Sequence, residues 1–200
     1  MKILVVGGNG TIGSCVVNRL KEKHEVIIAG RNSGDVKVDI ENTESIKAMF
    51  EETGKLDAVV SCTGAAKWGA FDDLSEDDYY VGIKSKLMGQ VNLVRLGQEH
   101  LNHGGSFTLT TGILADDPVS GATNSSMVNN AIHGFVCAVS QELKNGLRIN
   151  AVAPGLVEDS AERLGDVFPG HIAVPMNKVA AGYIRSIEGL RTGEIIRIYE

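Results

Sequence analysis

Short apolar runs recur along the chain at Ile3–Val6, Glu25–Ala29, Val36–Asp39, Ala58–Ser61, Ser106–Thr110, Arg148–Val152 and Glu194–Ile198. Runs without polar alternation fit strands that are covered on both faces. Between them, apolar positions recur at three- and four-residue intervals, which predicts helices over Thr11–Lys23, Thr43–Glu52, Ser75–Leu101, Ser125–Lys144 and Asn177–Ile187. Thr43 and Ser75 precede acidic first turns as N-caps, and Ser75 with Asp78 has the spacing of a capping box. In the Ser75 helix, Val81, Leu87, Met88, Val91, Val94 and Leu101 read as core. Asp116 to Asn124 is the one long irregular stretch before the final third. Strands alternating with helices predict a doubly wound α/β fold: a parallel sheet of about seven strands with helices on both faces.

The first run breaks into Gly7, Gly8, Asn9, Gly10, Thr11, Ile12 and Gly13. Glycine costs conformational entropy, so this density points to a backbone that something must approach closely. Gly8, Gly10 and Gly13 have the G-x-G-x-x-G spacing of a dinucleotide fingerprint, and they lie between a predicted strand and a predicted helix. The helix start offers free N–H groups and a partial charge of about +0.5 to a pyrophosphate, with no lysine required. The fold is therefore expected to be of the Rossmann type. Arg31, directly after the second strand, suits the 2′-phosphate of NADP; nearby Asp35 is a rival that would suit NAD.

Composition narrows the function classes. The chain has 200 residues, 43% hydrophobic and 22% charged. That suits a single domain over 1–200, burying roughly 70% of its unfolded surface. A net charge of -6 argues against nucleic acid and anionic membranes as partners. Cys15, Cys62 and Cys137 have no metal or disulfide spacing, and His24, His100, His103 and His171 have no ligand spacing. No metal is expected, and a reducing, cytoplasmic compartment fits. No apolar run reaches membrane-spanning length.

With these residues in hand, the chain resembles the short-chain dehydrogenase/reductase family over nearly its whole length. Beside GGNGTIG, the VDI at Val38–Ile40 is similar to the family's adenine-contacting segment, implying roles for Asp39 and Ile40. VVSCTGAA stands where the family has Asn-Asn-Ala-Gly, with Gly64 retained. RINAVAPGLVED at Arg148–Asp159 resembles the sixth-strand signature, which implies that Pro154, Gly155 and Val157 line the nicotinamide. TGEIIRI at Thr192–Ile198 resembles the last strand. The stretch from 156 to 177, which shapes the substrate pocket in the family, is short here.

The resemblance departs at the catalytic pair. At the family's Tyr-x-x-x-Lys this chain has Ser125 and Asn129, and no tyrosine occurs from Val81 to Leu143. Lys86 takes the place of the family's helix Asn, and its Ser corresponds to Thr111 or to Gly112. Hydroxyl groups such as Thr111 and Ser125 are weak general acids at neutral pH, whereas a desolvated Lys86 could donate. A solvated lysine in the run Lys84-Ser85-Lys86 is the plainer reading of that residue. His133, among Ala131, Ile132 and Val136, reads as a packed or rim histidine, and Trp68 either borders the nicotinamide or caps the core.

Two functions compete. One is an NADP(H)-dependent (or NAD-dependent) oxidoreductase of unknown small-molecule carbonyl or alcohol substrate, drawing its proton from Thr111, Lys86 or water. The other is a catalytically inactive NADP(H)-binding regulatory or scaffold protein; an unliganded interaction module ranks third. The resemblance also implies a homodimer or homotetramer formed through the Ser75–Leu101 and Ser125–Lys144 helices.

Overall fold

In a computed structural model describing residues 1–200, the apolar runs form strands β1 (Lys2–Val6), β2 (Glu25–Gly30), β3 (Val36–Lys37), β4 (Leu56–Ser61), β5 (Leu101–Thr110), β6 (Arg148–Pro154) and β7 (Ile195–Ile198). All pair in parallel in one sheet of order β3-β2-β1-β4-β5-β6-β7. The chain winds outward from β1 to β3, then crosses back to lay β4 on the other side of β1. That reversal opens a crevice at the C-terminal ends of β1 and β4, the place where doubly wound sheets bind ligands.

The helices are α1 (Thr11–Leu20), α2 (Thr43–Thr53), α3 (Glu76–Gly82), α4 (Gly89–Gly97), α5 (Thr123–Val139), α6 (Glu158–Leu164) and α7 (Met176–Glu188). Strand residues alternate between two cores. Leu4, Val6, Phe107 and Leu109 pack with Met49 and Phe50 of α2, Leu93 of α4 and Ile132 and Val136 of α5. Ile3 and Val5 face the other way, onto Val16 and Leu20 of α1 and Val179, Tyr183 and Ile187 of α7. Each fully buried large side chain contributes roughly 1.5–3 kcal/mol, so the two layers clamp the sheet that carries the crevice.

Several boundaries differ from the sequence expectation. Thr43 is not a cap: Asn42 holds that position, accepting from the N–H groups of Glu44 and Ser45, whereas Ser75 and Asp78 do form the capping box. The strand expected over Val36–Asp39 ends at Lys37, because the Asp39 N–H turns away to donate to Ser45 Oγ. The helix expected over Ser75–Leu101 is interrupted by a π turn at Ile83–Met88, and Leu101 already begins β5. The 156–177 stretch contains α6, and a single bridge between Val157 and Val174 ties it back to the end of β6. No helix is long and apolar enough to cross a membrane.

Candidate active site

The glycine turn joins β1 to α1. Its carbonyl at Gly7 accepts from the Gly10 N–H, and α1 starts at Thr11 with no side chain capping it. The N–H groups of Thr11, Ile12 and Gly13 consequently have no acceptor in the chain. Gly13 is packed so closely that a Cβ there would sit 2.1 Å from the Gly7 carbonyl oxygen, so α1 can seat on the turn only without a side chain at this position. Asn9 is exposed and donates its amide to Ser33 Oγ at 2.9 Å, which ties the turn to the loop after β2.

The turn separates two cavities. Gly7 lines the first, of about 450 Å³, with Arg31, Ile40, Glu41, Cys62, Gly64 and Ser85 among the others around it. Arg31 Nη2 donates to Asp39 Oδ1 at 3.0 Å and to Glu41 Oε1 at 3.1 Å. Asp39 itself does not line this cavity; besides Arg31 it accepts from the Glu41 N–H. Glu41 does line it, and sequence reasoning had not singled it out. Cys62 is pushed up to about 12 by burial, so it stays a thiol.

Ile12 lines the second cavity, of about 210 Å³. Here Lys86, Thr111, Ser125 and Asn129 come together with Pro154, Gly155 and Val157. None of the 16 lining residues is a tyrosine, and Lys86 is the only charged one. Two residues apart in the π turn, the neighbouring lysines face opposite ways. Lys84 is exposed, with its ammonium 5.7 Å from the Tyr80 ring centre, while Lys86 turns into the wall of the cavity, correcting the solvated-lysine reading. No acid pairs with Lys86, and burial lowers its pKa from 10.5 to about 8. Gly64, at φ +122, makes this approach possible: a Cβ there would meet Lys86 Cα at 2.7 Å.

Thr111 follows β5 and continues its ladder by donating its N–H to the Val152 carbonyl at 2.9 Å. Its hydroxyl contacts His133 Nε2 at 2.9 Å. Ser125 and Asn129 are one helical turn apart on α5, both buried, and Asn129 Oδ1 has no partner in the chain. Ile113, Leu114, Leu156, Leu164 and Phe168 supply the apolar wall, from the loop after β5 and from the 156–177 stretch. Trp68 also lines this cavity, its ring 6.2 Å from that of Phe168. Polar and apolar groups thus line one small space, an arrangement able to polarise an oxygen on a compact hydrophobic molecule.

A family model for enoyl-(acyl carrier protein) reductase matches residues 11–185. Among curated proteins, hydroxynaphthalene reductase arp2 of Aspergillus fumigatus is 26% identical over 184 residues, covering 80% of this chain and 67% of that protein. Oxidoreductase UcpA of Escherichia coli strain K12 is 27% identical over 172 residues, covering 80% of this chain and 64% of that protein. The chain therefore spans about two thirds of the length of these relatives. Among solved structures, the protein lin1944 from Listeria innocua is 47% identical with a TM-score of 0.98, each chain covered over 100%. The crystal structure of a small-chain dehydrogenase in complex with NADPH is 26% identical with a TM-score of 0.88, covering 99% of this chain and 96% of that one.

Proposed function

Because the chain belongs to the short-chain dehydrogenase/reductase family, we propose that it is an NADP(H)-dependent oxidoreductase acting on a small carbonyl or alcohol compound. The observation that carries this reading is the second cavity, which Lys86 and Thr111 line together with Pro154, Gly155 and Val157. The residues fit the cofactor. The uncapped start of α1 and the Cβ-free approach of Gly13 to Gly7 suit a diphosphate, and Arg31 at the rim of the first cavity suits a 2′-phosphate. Thr11 and Gly10 would hold the diphosphate, Gly64 and Ile40 the adenosine half, and Pro154, Gly155 and Val157 the nicotinamide half. The NADPH-bound relative supports the choice of NADP over NAD.

Bound NADPH supplies hydride to the carbonyl carbon. Lys86, as an ammonium, donates the proton that the carbonyl oxygen takes up, and Thr111 holds that oxygen by a hydrogen bond. Ser125 and Asn129 stand at the family's tyrosine and lysine positions; they shape the polar end of the cavity and leave the acid role to Lys86. The apolar wall around Phe168 excludes water and selects a compact, largely apolar substrate. An inactive scaffold has no use for an unpaired, desolvated lysine in the cavity that Thr111 also lines, and that alternative is not retained.

Titration calorimetry tests the cofactor. NADPH is expected to bind at micromolar Kd or tighter, and Arg31→Ala to weaken NADPH by roughly 10-fold while leaving NADH unchanged. Absence of binding of either nucleotide, or of NADPH oxidation with a panel of small quinones, aldehydes and ketones, would overturn the reading.

The chain is also proposed to act as a homodimer or homotetramer in the cytoplasm. Val81 and Met88, which their spacing assigned to the core, stand with Met127 about 40% exposed on the two long helical segments and offer the association surface. Sedimentation is expected to give a multiple of 21.3 kDa; a single species at that mass would contradict the assembly.

A further inference from the structure

Ser125, Asn129 and His133 lie at four-residue intervals and form a polar stripe down the buried face of α5, among Val128, Ile132 and Val136. His133 is 9% exposed and does not line the substrate cavity; Thr111 is 4% exposed and does. The 2.9 Å contact between His133 Nε2 and Thr111 Oγ1 therefore connects the interior of α5 to the reacting end of the cavity.

A threonine hydroxyl has one hydrogen to give. If His133 Nε2 is a bare lone pair, Thr111 spends that hydrogen on the ring and can only accept from a substrate. If Nε2 carries the hydrogen, the ring donates to Thr111, and the hydroxyl is left free to donate to a carbonyl oxygen. Which of the two operates depends on what the other ring nitrogen touches. His133 Nδ1 has no hydrogen-bond partner in the chain. The nearest carboxylate, Asp116, is already engaged: Arg197 Nε donates to it at 2.6 Å, Arg197 Nη2 at 3.3 Å and Tyr199 Oη at 2.5 Å. No group of the chain therefore calls for a hydrogen on Nδ1.

We propose that His133 is a positioning residue, held as the Nε2–H tautomer, that turns the Thr111 hydroxyl into a hydrogen-bond donor aimed at the substrate oxygen. The inference rests on the reductase reading and adds to it a residue outside the cavity wall. Desolvation is the largest influence on the ring; together with Arg197, which also opposes protonation, it outweighs Asp116, which favours it, and holds the pKa below the usual 6.5. The ring is therefore neutral at pH 7.5, where its tautomer can be read.

Long-range proton–nitrogen NMR on protein labelled at its histidines decides the matter without cofactor or substrate. His133 is assigned by its loss in His133→Gln. The Nε2–H pattern is expected at pH 7.5, with the Nε2 resonance shifting in Thr111→Val; an Nδ1–H pattern, or no response to Thr111→Val, overturns the proposal. In turnover, His133→Phe is expected to lower kcat by roughly 10- to 100-fold with the NADPH Kd unchanged. His133→Gln, whose amide still donates, recovers most of that loss, and adding His133→Phe to Thr111→Val costs nothing further. Equal losses in the Phe and Gln variants, or additive losses in the double variant, would overturn it as well. A protein with the Nε2–H pattern that neither binds nor oxidises NADPH would instead remove the reductase reading.

Discussion

Gly13→Ala is expected to abolish NADP(H) binding and to lower the melting temperature by several degrees. The added Cβ would lie 2.1 Å from the Gly7 carbonyl oxygen and 2.9 Å from Gly8 Cα. Both obstacles are backbone, so no rotamer change relieves the clash, and α1 must back away from the turn. Overpacking of this kind costs typically about 1–3 kcal/mol, and at this chain length each kcal/mol is worth roughly 2–4 °C. Retreat of α1 also carries the free N–H groups of Thr11, Ile12 and Gly13 away from the diphosphate, which should weaken NADPH by on the order of 100-fold or more. Calorimetry and thermal denaturation read the two effects separately. An alanine variant that binds NADPH like the parent would remove the cradle from the account.

Lys86→Met is expected to cut kcat for carbonyl reduction by roughly 10²- to 10³-fold and yet make the protein more stable. The folded-state pKa near 8 lies below the ordinary 10.5, so the fold disfavours the charged amine. Between these values the unfolded chain binds more protons than the native one, and stability rises with pH across that window. Below about pH 8 the full penalty is present, on the order of 1–2 kcal/mol after allowance for partial solvent contact. The methionine variant should therefore melt higher than the parent at pH 7, and the gap should close as the pH approaches 10.5. Rate follows the same titration: reduction by the parent falls as pH climbs through about 8, and alcohol oxidation, which needs the neutral amine, rises. A methionine variant that keeps the parent's pH profile would exclude Lys86 as the acid.

The sheet was legible because both of its faces are covered: β1 and β4 carry apolar runs at Ile3–Val6 and Ala58–Val60, β5 and β6 keep apolar residues among small polar ones, and the glycines between β1 and α1 mark the crevice directly. α6 was not legible, since none of its residues is buried and EDSAERL carries no apolar stripe. The break in the long helix was hidden as well, because apolar residues on both sides of Ile83–Met88 keep a helical spacing while a single extra residue shifts their phase. Lys84 and Lys86, alike in sequence, differ in surroundings because residues two apart on a helix face opposite ways. The link between His133 and Thr111 spans 22 positions and depends on how α5 lies against β5, so local sequence carried no sign of it. Glu41 was missed for a similar reason: only the fold of the segment after β3 brings it beside Arg31.

The π turn has a further consequence for how this chain can change length. Residues on either side of it are out of step by about 100°, the angular increment of one helical residue. Removing one residue between Ile83 and Met88 would let an ordinary helix run through, with Leu93 and Val94 still seated on the sheet and everything upstream rotated. The acid would swing out of its niche although every side chain of the cavity remained encoded. Among the changes open to this helix, a single-codon deletion is therefore more damaging than most substitutions.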